Sequence, residues 1–404
     1  MDEKFYKYAD LLVNRCLAVK ENQPLLVTAP IENIDLVRII AKVAYDAGVR
    51  DVYFDFIDDE LKHDQMKYFS KDELLNSRLF NKGIYNEYAK KDAAFLMLYA
   101  NNPDIMNDIN KEIIAYTGEI NITTREEYRK KQRTYEVPWC IASSVTESWA
   151  KKVLPDSNDA YNELWNIVFD LTLVNTDNPI KAWDEKVKLS QERVKKLNDL
   201  KIKTLTYKND LGTDFSVGFN NNKWCGVGEH TTNGRNILVN MPSEEVFTSP
   251  DKHTANGKVF ASMPLIYNGS LIENFWIEFK DGKVVDFDAE CGKEVLESII
   301  KQENGNYLGE VALVDINSPI HKSGLLFYET LYDENASCHL ALGAAFPDCF
   351  NDKNNLKKYG YNDSKTHVDF MIGTDDLNIM AITKDGREIP IFINGEYSEY
   401  LLNN

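Results

Sequence analysis

PLLVTAPIENIDLVRIIAKVAYDAGVRDVYFDF, residues 24–56, decides the fold of the first half of this 404-residue chain. Pro24 to Pro30 and Asp51 to Phe56 are short apolar runs of strand length, and Leu36 to Ala47 between them carries apolar residues at helical spacing. Asn33 or Asp35 can cap that helix and Gly48 can end it. A strand, a helix and a second strand in so short a span form a βαβ unit, and its two strands run parallel because a helical crossover separates them. On one side of the unit, Phe5 to Val19 spaces Phe5, Ala9, Leu12, Val13 and Cys16 as an amphipathic helix. On the other, Ala93 to Ala100 (AAFLMLYA) and Trp139 to Val145 suit inner strands of an open sheet covered by helices on both faces. No GxxxxGK[ST] or GxGxxG loop follows any of these strands, so a nucleotide-binding role loses its main support.

The length exceeds what one hydrophobic core usually supports and predicts two domains. Pro179 to Leu200, rich in Lys, Glu and Asp with apolar residues at helical spacing, predicts a solvated helix joining them. The boundary is placed near residue 196, giving an α/β N-terminal domain over 1–195 with a mainly parallel sheet. Residues 196–404 change grammar to short β-rich runs separated by Asn268-Gly269, Asp281-Gly282 and Asp385-Gly386. They predict an α+β domain rich in antiparallel strands.

A net charge of −18 opposes extended contact with nucleic acid or an anionic membrane. No apolar run approaches the roughly 18 to 20 residues of a membrane span, and the N-terminus MDEKFYKYAD lacks the apolar core of a signal peptide. The expectation is a cytoplasmic protein. Its six cysteines are scattered without CxxC spacing and read as reduced, mostly buried thiols rather than a disulfide frame or zinc knuckle.

The candidate chemistry sits in the second half. In THVDFMIG the pair His367 and Asp369 falls at i and i+2 of a strand-like run, on one face; alone, HxD also fits a surface histidine beside a solvated carboxylate. His339 in ENASCHLALG has small apolar neighbours and needs a partner, either a metal or a backbone carbonyl. Cys338 beside it has no basic neighbour to lower its pKa and reads as structural. Glu310 inserts a carboxylate into the buried run YLGEVALV, where an unpaired charge would be costly. NMPSEEVFTSP carries Glu244 and Glu245 into an apolar segment, and either can point inward.

The segments NMPSEEVFTSP, GEVALVD, GLLFYETLYDENASCHLALG and HVDFMIGT, in that order, resemble the M29 family of metallo-aminopeptidases, most strongly over about residues 205–380. The resemblance implies a site for two divalent metal ions, zinc, cobalt or manganese, held by Glu245, Glu310, His339, His367 and Asp369. It also implies a homodimer acting on peptide substrates with a free N-terminus. Glu245, directly before Val-Phe-Thr, matches better than Glu244. Glu334 is the expected proton-shuttling acid or base. Where the resemblance calls for a tyrosine contacting substrate, seven residues beyond the ligand histidine, this chain has Phe346, with Tyr328 or Tyr332 as alternative hydroxyls. A protein that binds metal and peptide without turnover is the competing reading.

Overall fold

The computed structural model describes residues 2–100, 102–267 and 269–402. The chain groups into two compact units, Met1–Glu185 with Gly228–Pro242, and Lys186–Val227 with Ser243–Asn404.

The first unit is the parallel α/β structure that the 24–56 stretch predicts. Leu25–Pro30 pairs in parallel with Val52–Ile57 on one side and Ala94–Tyr99 on the other. Trp139–Ser143 follows, and Asn240–Met241 closes the five-stranded sheet. All six residues of Leu25–Pro30 are buried, as expected for a strand covered on both faces. The crossover helix Ile34–Asp46 buries Leu36, Val37, Ile40, Ala41 and Ala44, one stripe at 3.6-residue spacing. Gly48 ends it at φ +93°, a conformation most side chains avoid. The expected first helix is present over Asp2–Asp10, but it widens into a π turn over Leu11–Cys16 that buries Leu11, Leu12, Val13 and Cys16. Pro179–Leu200 is a single helix. Among the described residues no helix is long and apolar enough to cross a membrane.

The second unit is antiparallel throughout its two main sheets. One has nine strands; the other has five, in the order His367–Met371, His339–Gly343, Leu308–Leu313, Val246–Thr248, Cys225–Gly226. Asp281 and Gly282 both adopt positive φ, 48° and 84°, in the two-residue turn of the longest hairpin. Gly386 does so at the Asn378–Thr383 and Glu388–Ile393 hairpin. A hairpin also joins Leu265–Tyr267 to Ser270–Lys280, although Asn268 of the expected turn lies outside the described residues.

The two sheets share one apolar core. The five-stranded sheet supplies Val246, Val311, Leu313, Leu340, Leu342, Val368 and Phe370, and the nine-stranded sheet supplies Leu205, Tyr207, Val217, Ile277, Ile379 and Ala381. Truncating one such leucine to alanine costs about 2–5 kcal/mol, so this core fixes the five-stranded sheet firmly. Its other face is available for chemistry.

Candidate metal centre

Strand alternation puts every expected ligand on that other face. Val246, Val311, Leu313, Leu340, Leu342, Val368 and Phe370 point into the core, so the intervening residues point away from it. Across the ladder Glu310 lies opposite Ala341, and Ala341 lies opposite Asp369. His339 is two residues from Ala341 on the same strand, and His367 stands opposite Gly343. Glu245 immediately precedes Val246–Thr248, in which Phe247 faces Ala312. Ala312, Ala341 and Gly343 are small, and their size leaves the space that the five larger polar side chains share.

Two glycines shape the edge of this cluster. The register shifts between Leu308 and Glu310, the irregularity that re-aims a side chain at a bulge. A Cβ at the intervening Gly309 would lie 2.2 Å from the Ala344 carbonyl oxygen. Gly343 sits at φ +100°, and a Cβ there would meet the Thr366 carbonyl oxygen at 2.1 Å.

Two groups result, each with its ligand atoms within 4.8 Å of one another: Glu245, Glu310 and His339, and Glu310, His367 and Asp369. Glu310 belongs to both. His339 Nε2 is 3.2 Å from Glu245 Oε2. His367 Nε2 is 3.0 Å from Glu310 Oε2 and 3.1 Å from Asp369 Oδ1. Each imidazole uses its other nitrogen on a backbone carbonyl, His339 Nδ1 on Ser337 at 3.2 Å and His367 Nδ1 on Ala344 at 2.7 Å.

A carbonyl can only accept, so Nδ1 carries the proton in both rings. In the neutral imidazole Nε2 then presents a lone pair to carboxylate oxygens, a repulsive arrangement unless a proton or a metal cation lies between them. Without metal the proton fills this role. Burial pulls the His339 pKa down, but the hydrogen bond and charge of Glu245, with Glu310 and Asp369, push it up to about 10. Burial likewise opposes protonation of His367, yet Asp369 and Glu310 hold its pKa well above the ordinary value. Glu310 is raised to about 7, first by burial and then by the Glu245 and Asp369 charges, against the His367 bond. Asp369 is lowered despite burial, because both histidines face it.

The protons do not satisfy every group. Asp369 Oδ1 is buried without a hydrogen-bond partner although it is 3.1 Å from His367 Nε2. The hydrogen bond from that nitrogen goes to Glu310. Carboxylate and imidazole donors converging with carbonyl-fixed rings suit divalent transition ions, and the unpartnered Asp369 oxygen is a further donor of the kind such an ion takes. The residues present fit such ions.

Glu334 is half-buried beside this cluster, its carboxyl pushed well up by burial and then by Asp369, Glu245 and Glu310. Glu244 turns away and pairs with Lys186, so Glu245 is the member of that pair facing His339. Phe346 lies next to His367, ring centroids 5.0 Å apart, and edge-on to Phe247 at 5.6 Å. Tyr332 is fully buried and stacked on Phe327, out of reach of a substrate. Cys338 donates to the Val314 carbonyl at 3.3 Å and accepts from its amide at 3.4 Å, and burial pushes its thiol up to about 12; with its S–H and its lone pair both engaged, it is a structural thiol.

Sequence reasoning did not find Asn335. Its side-chain oxygen accepts from the Glu244 amide at 2.6 Å while its Nδ2 donates to the Leu331 carbonyl at 2.9 Å, tying the Glu334 turn to the Glu244–Glu245 segment. In sequence it is one asparagine of the ENASCH run, with nothing to show that it is wholly buried.

The family model for thermophilic metalloproteases (M29) matches residues 1–397. Aminopeptidase 2 of Geobacillus stearothermophilus is 39% identical over 406 residues, covering 98% of each chain. Aminopeptidase AmpS of Bacillus subtilis (strain 168) is 38% identical over 414 residues, again 98% of each. The solved structure of wild-type AmpT from Thermus thermophilus superposes with a TM-score of 0.92 at 30% identity, covering 98% of this chain and 99% of that one.

Proposed function

This chain belongs to the thermophilic metalloprotease (M29) family, and from that premise we propose that it is an aminopeptidase that removes N-terminal residues from peptides with two divalent metal ions. Glu245, Glu310 and His339 would hold one ion and Glu310, His367 and Asp369 the other, with zinc, cobalt and manganese as candidates. The observation that carries the reading is the pair of imidazoles whose Nδ1–H is fixed on a carbonyl while Nε2 faces carboxylates that share Glu310. Bound there, such ions supply Lewis acidity toward the scissile carbonyl and a water of lowered pKa.

The chain's own residues do the rest. Ser337 and Ala344 hold the rings in register through their carbonyls, and Ala341 keeps Glu310 and Asp369 apart across the ladder. Glu334, a carboxyl at the edge of the cluster, would take the proton from the attacking water and return it to the leaving amine. A free α-amino group could ligate one of those ions, which an acylated terminus cannot do. This gives exopeptidase preference. The same reading carries a homodimer in the cytoplasm.

The test is hydrolysis of leucyl or alanyl fluorogenic amides. Activity should vanish after exhaustive dialysis against chelator and return with cobalt, manganese or zinc, and an N-acetylated peptide should stay intact. Undiminished cleavage with metal content near zero, or equal cleavage of blocked and free peptides, overturns the proposal. Metal and peptide binding without hydrolysis would mark the non-catalytic binding protein instead, a reading favoured by Phe346 where a hydroxyl is expected.

A further inference from the structure

A second reactive cluster stands at the edge of the same sheet. Cys225 begins the two-residue strand Cys225–Gly226, and Cys349 ends the 3-10 turn Pro347–Cys349. Their sulfurs are 3.8 Å apart although the residues are 124 positions apart in sequence. The backbone holds them there: the Lys223 amide donates to the Cys349 carbonyl at 2.8 Å, and Asn222 and Phe350 form an antiparallel bridge. Cys349 is buried while Cys225 is partly exposed, so Cys225 is the more accessible residue of the pair. Cys16 and Cys140 are also neighbours, but both are buried.

We propose that Cys225 and Cys349 form an oxidation site that a peroxide-class oxidant closes to a disulfide, slowing the enzyme. The Cys225 sulfur attacks one peroxide oxygen, the O–O bond breaks, and the departing oxygen leaves as water, giving a sulfenic acid. The Cys349 sulfur then displaces hydroxide from that sulfenic sulfur, the S–S bond forms, and the Cys349 proton leaves with the hydroxide as a second water. Two electrons pass from the sulfurs to the peroxide.

Closure acts on the metal centre through a short path. The present 3.8 Å separation must fall to about 2.05 Å. The turn that moves directly follows Phe346, whose ring neighbours that of His367. Two residues earlier, the Ala344 carbonyl fixes His367 Nδ1. Displacements of this size next to a reacting centre can lower turnover by about 100-fold.

The experiment treats the metal-loaded full chain with stoichiometric hydrogen peroxide, then measures non-reduced mass, peptide linkage and amide hydrolysis. The expected result is a loss of about 2 Da, one hydrogen per thiol, in a single linked peptide pair containing Cys225 and Cys349. Turnover should fall by about tenfold or more and recover with dithiothreitol. Cys225→Ser and Cys349→Ser should each abolish the link and keep their turnover under the same oxidant. A link mapping to Cys16 and Cys140, Cys225 oxidised to sulfinic acid with Cys349 still a thiol, or a linked pair with unchanged turnover would each overturn the proposal. The mass readout needs no peptidase activity, so an inactive reduced parent would count against the proposed function and not against the thiol pair.

Discussion

Replacing Phe346 by tyrosine adds one hydroxyl to a ring whose centroid is 5.0 Å from that of His367. The residue is 37% exposed, is held by its amide on Ser249 Oγ at 2.9 Å, and meets Phe247 edge-on. A ring this open to water can carry a hydroxyl without burying it, so the penalty of about 1–3 kcal/mol for an unpaired buried hydroxyl does not apply. Stability should therefore change by no more than about 0.5 kcal/mol. The rate argument runs the other way. A donor aimed at developing oxyanion charge contributes about 3–4 kcal/mol in a dry site, and solvent beside Phe346 reduces this to about 1.4 kcal/mol, a tenfold gain. Because the bond forms mainly in the transition state, kcat should rise with little change in KM. Steady-state kinetics on a leucyl amide at saturating metal, with melting curves and metal content measured alongside, decide the matter. An unchanged kcat in a Phe346→Tyr protein of parental metal content would refute a role for the hydroxyl at this position.

Three further outcomes follow from the geometry. Glu310 belongs to both ligand groups while His339 belongs to one, so Glu310→Gln should weaken both metal positions and His339→Ala mainly one. Equal residual metal in the two variants, measured by elemental analysis after gel filtration, would contradict the shared role. Ala341 sits between Glu310 and Asp369 across the ladder and is fully buried. Ala341→Leu should therefore cost about 1–3 kcal/mol by overpacking and lower metal occupancy, and parental occupancy would show that the space between the carboxylates is not the metal position. Finally, the metal-free His339 pKa near 10 means that the ring is protonated at pH 8. Metal uptake needs a neutral imidazole, so binding at pH 8 should release protons. Calorimetric enthalpies that do not vary with buffer ionisation heat would oppose this.

Local pattern makes much of the architecture legible in the sequence. Six buried residues in Leu25–Pro30 match the short apolar run of a doubly covered strand, and the Asp281-Gly282 dipeptide reads directly as a turn requiring two positive φ angles. The i, i+2 spacing of His367 and Asp369 placed both on one strand face. Other features have no such signal. Asn240–Met241 joins the parallel sheet as a two-residue strand, too short to show any period. The Ser337 and Ala344 carbonyls that fix the histidine rings belong to the backbone, so no residue type announces them. Lys186 and Glu244 pair from 58 positions apart, a distance at which charge spacing in sequence says nothing.

The most instructive case is His339–Gly343, HLALG, whose sequence resembles a strand buried by apolar neighbours on both faces. All five residues are indeed buried, but for opposite reasons. Leu340 and Leu342 are buried because they fill the core between the sheets. Ala341 and Gly343 are buried beneath the polar side chains of the cluster, where Ala341 stands between Glu310 and Asp369 and Gly343 stands opposite His367. On the first face size supplies hydrophobic stabilisation; on the second, the lack of size makes room for charge. A larger residue at 341 would deepen the apolar character of the motif on paper while removing the space that its carboxylates require. Apolar pattern alone therefore cannot separate a core face from the floor of a polar site. The distinction becomes visible only when small residues on one strand are read against the carboxylates and imidazoles directly opposite them on the next.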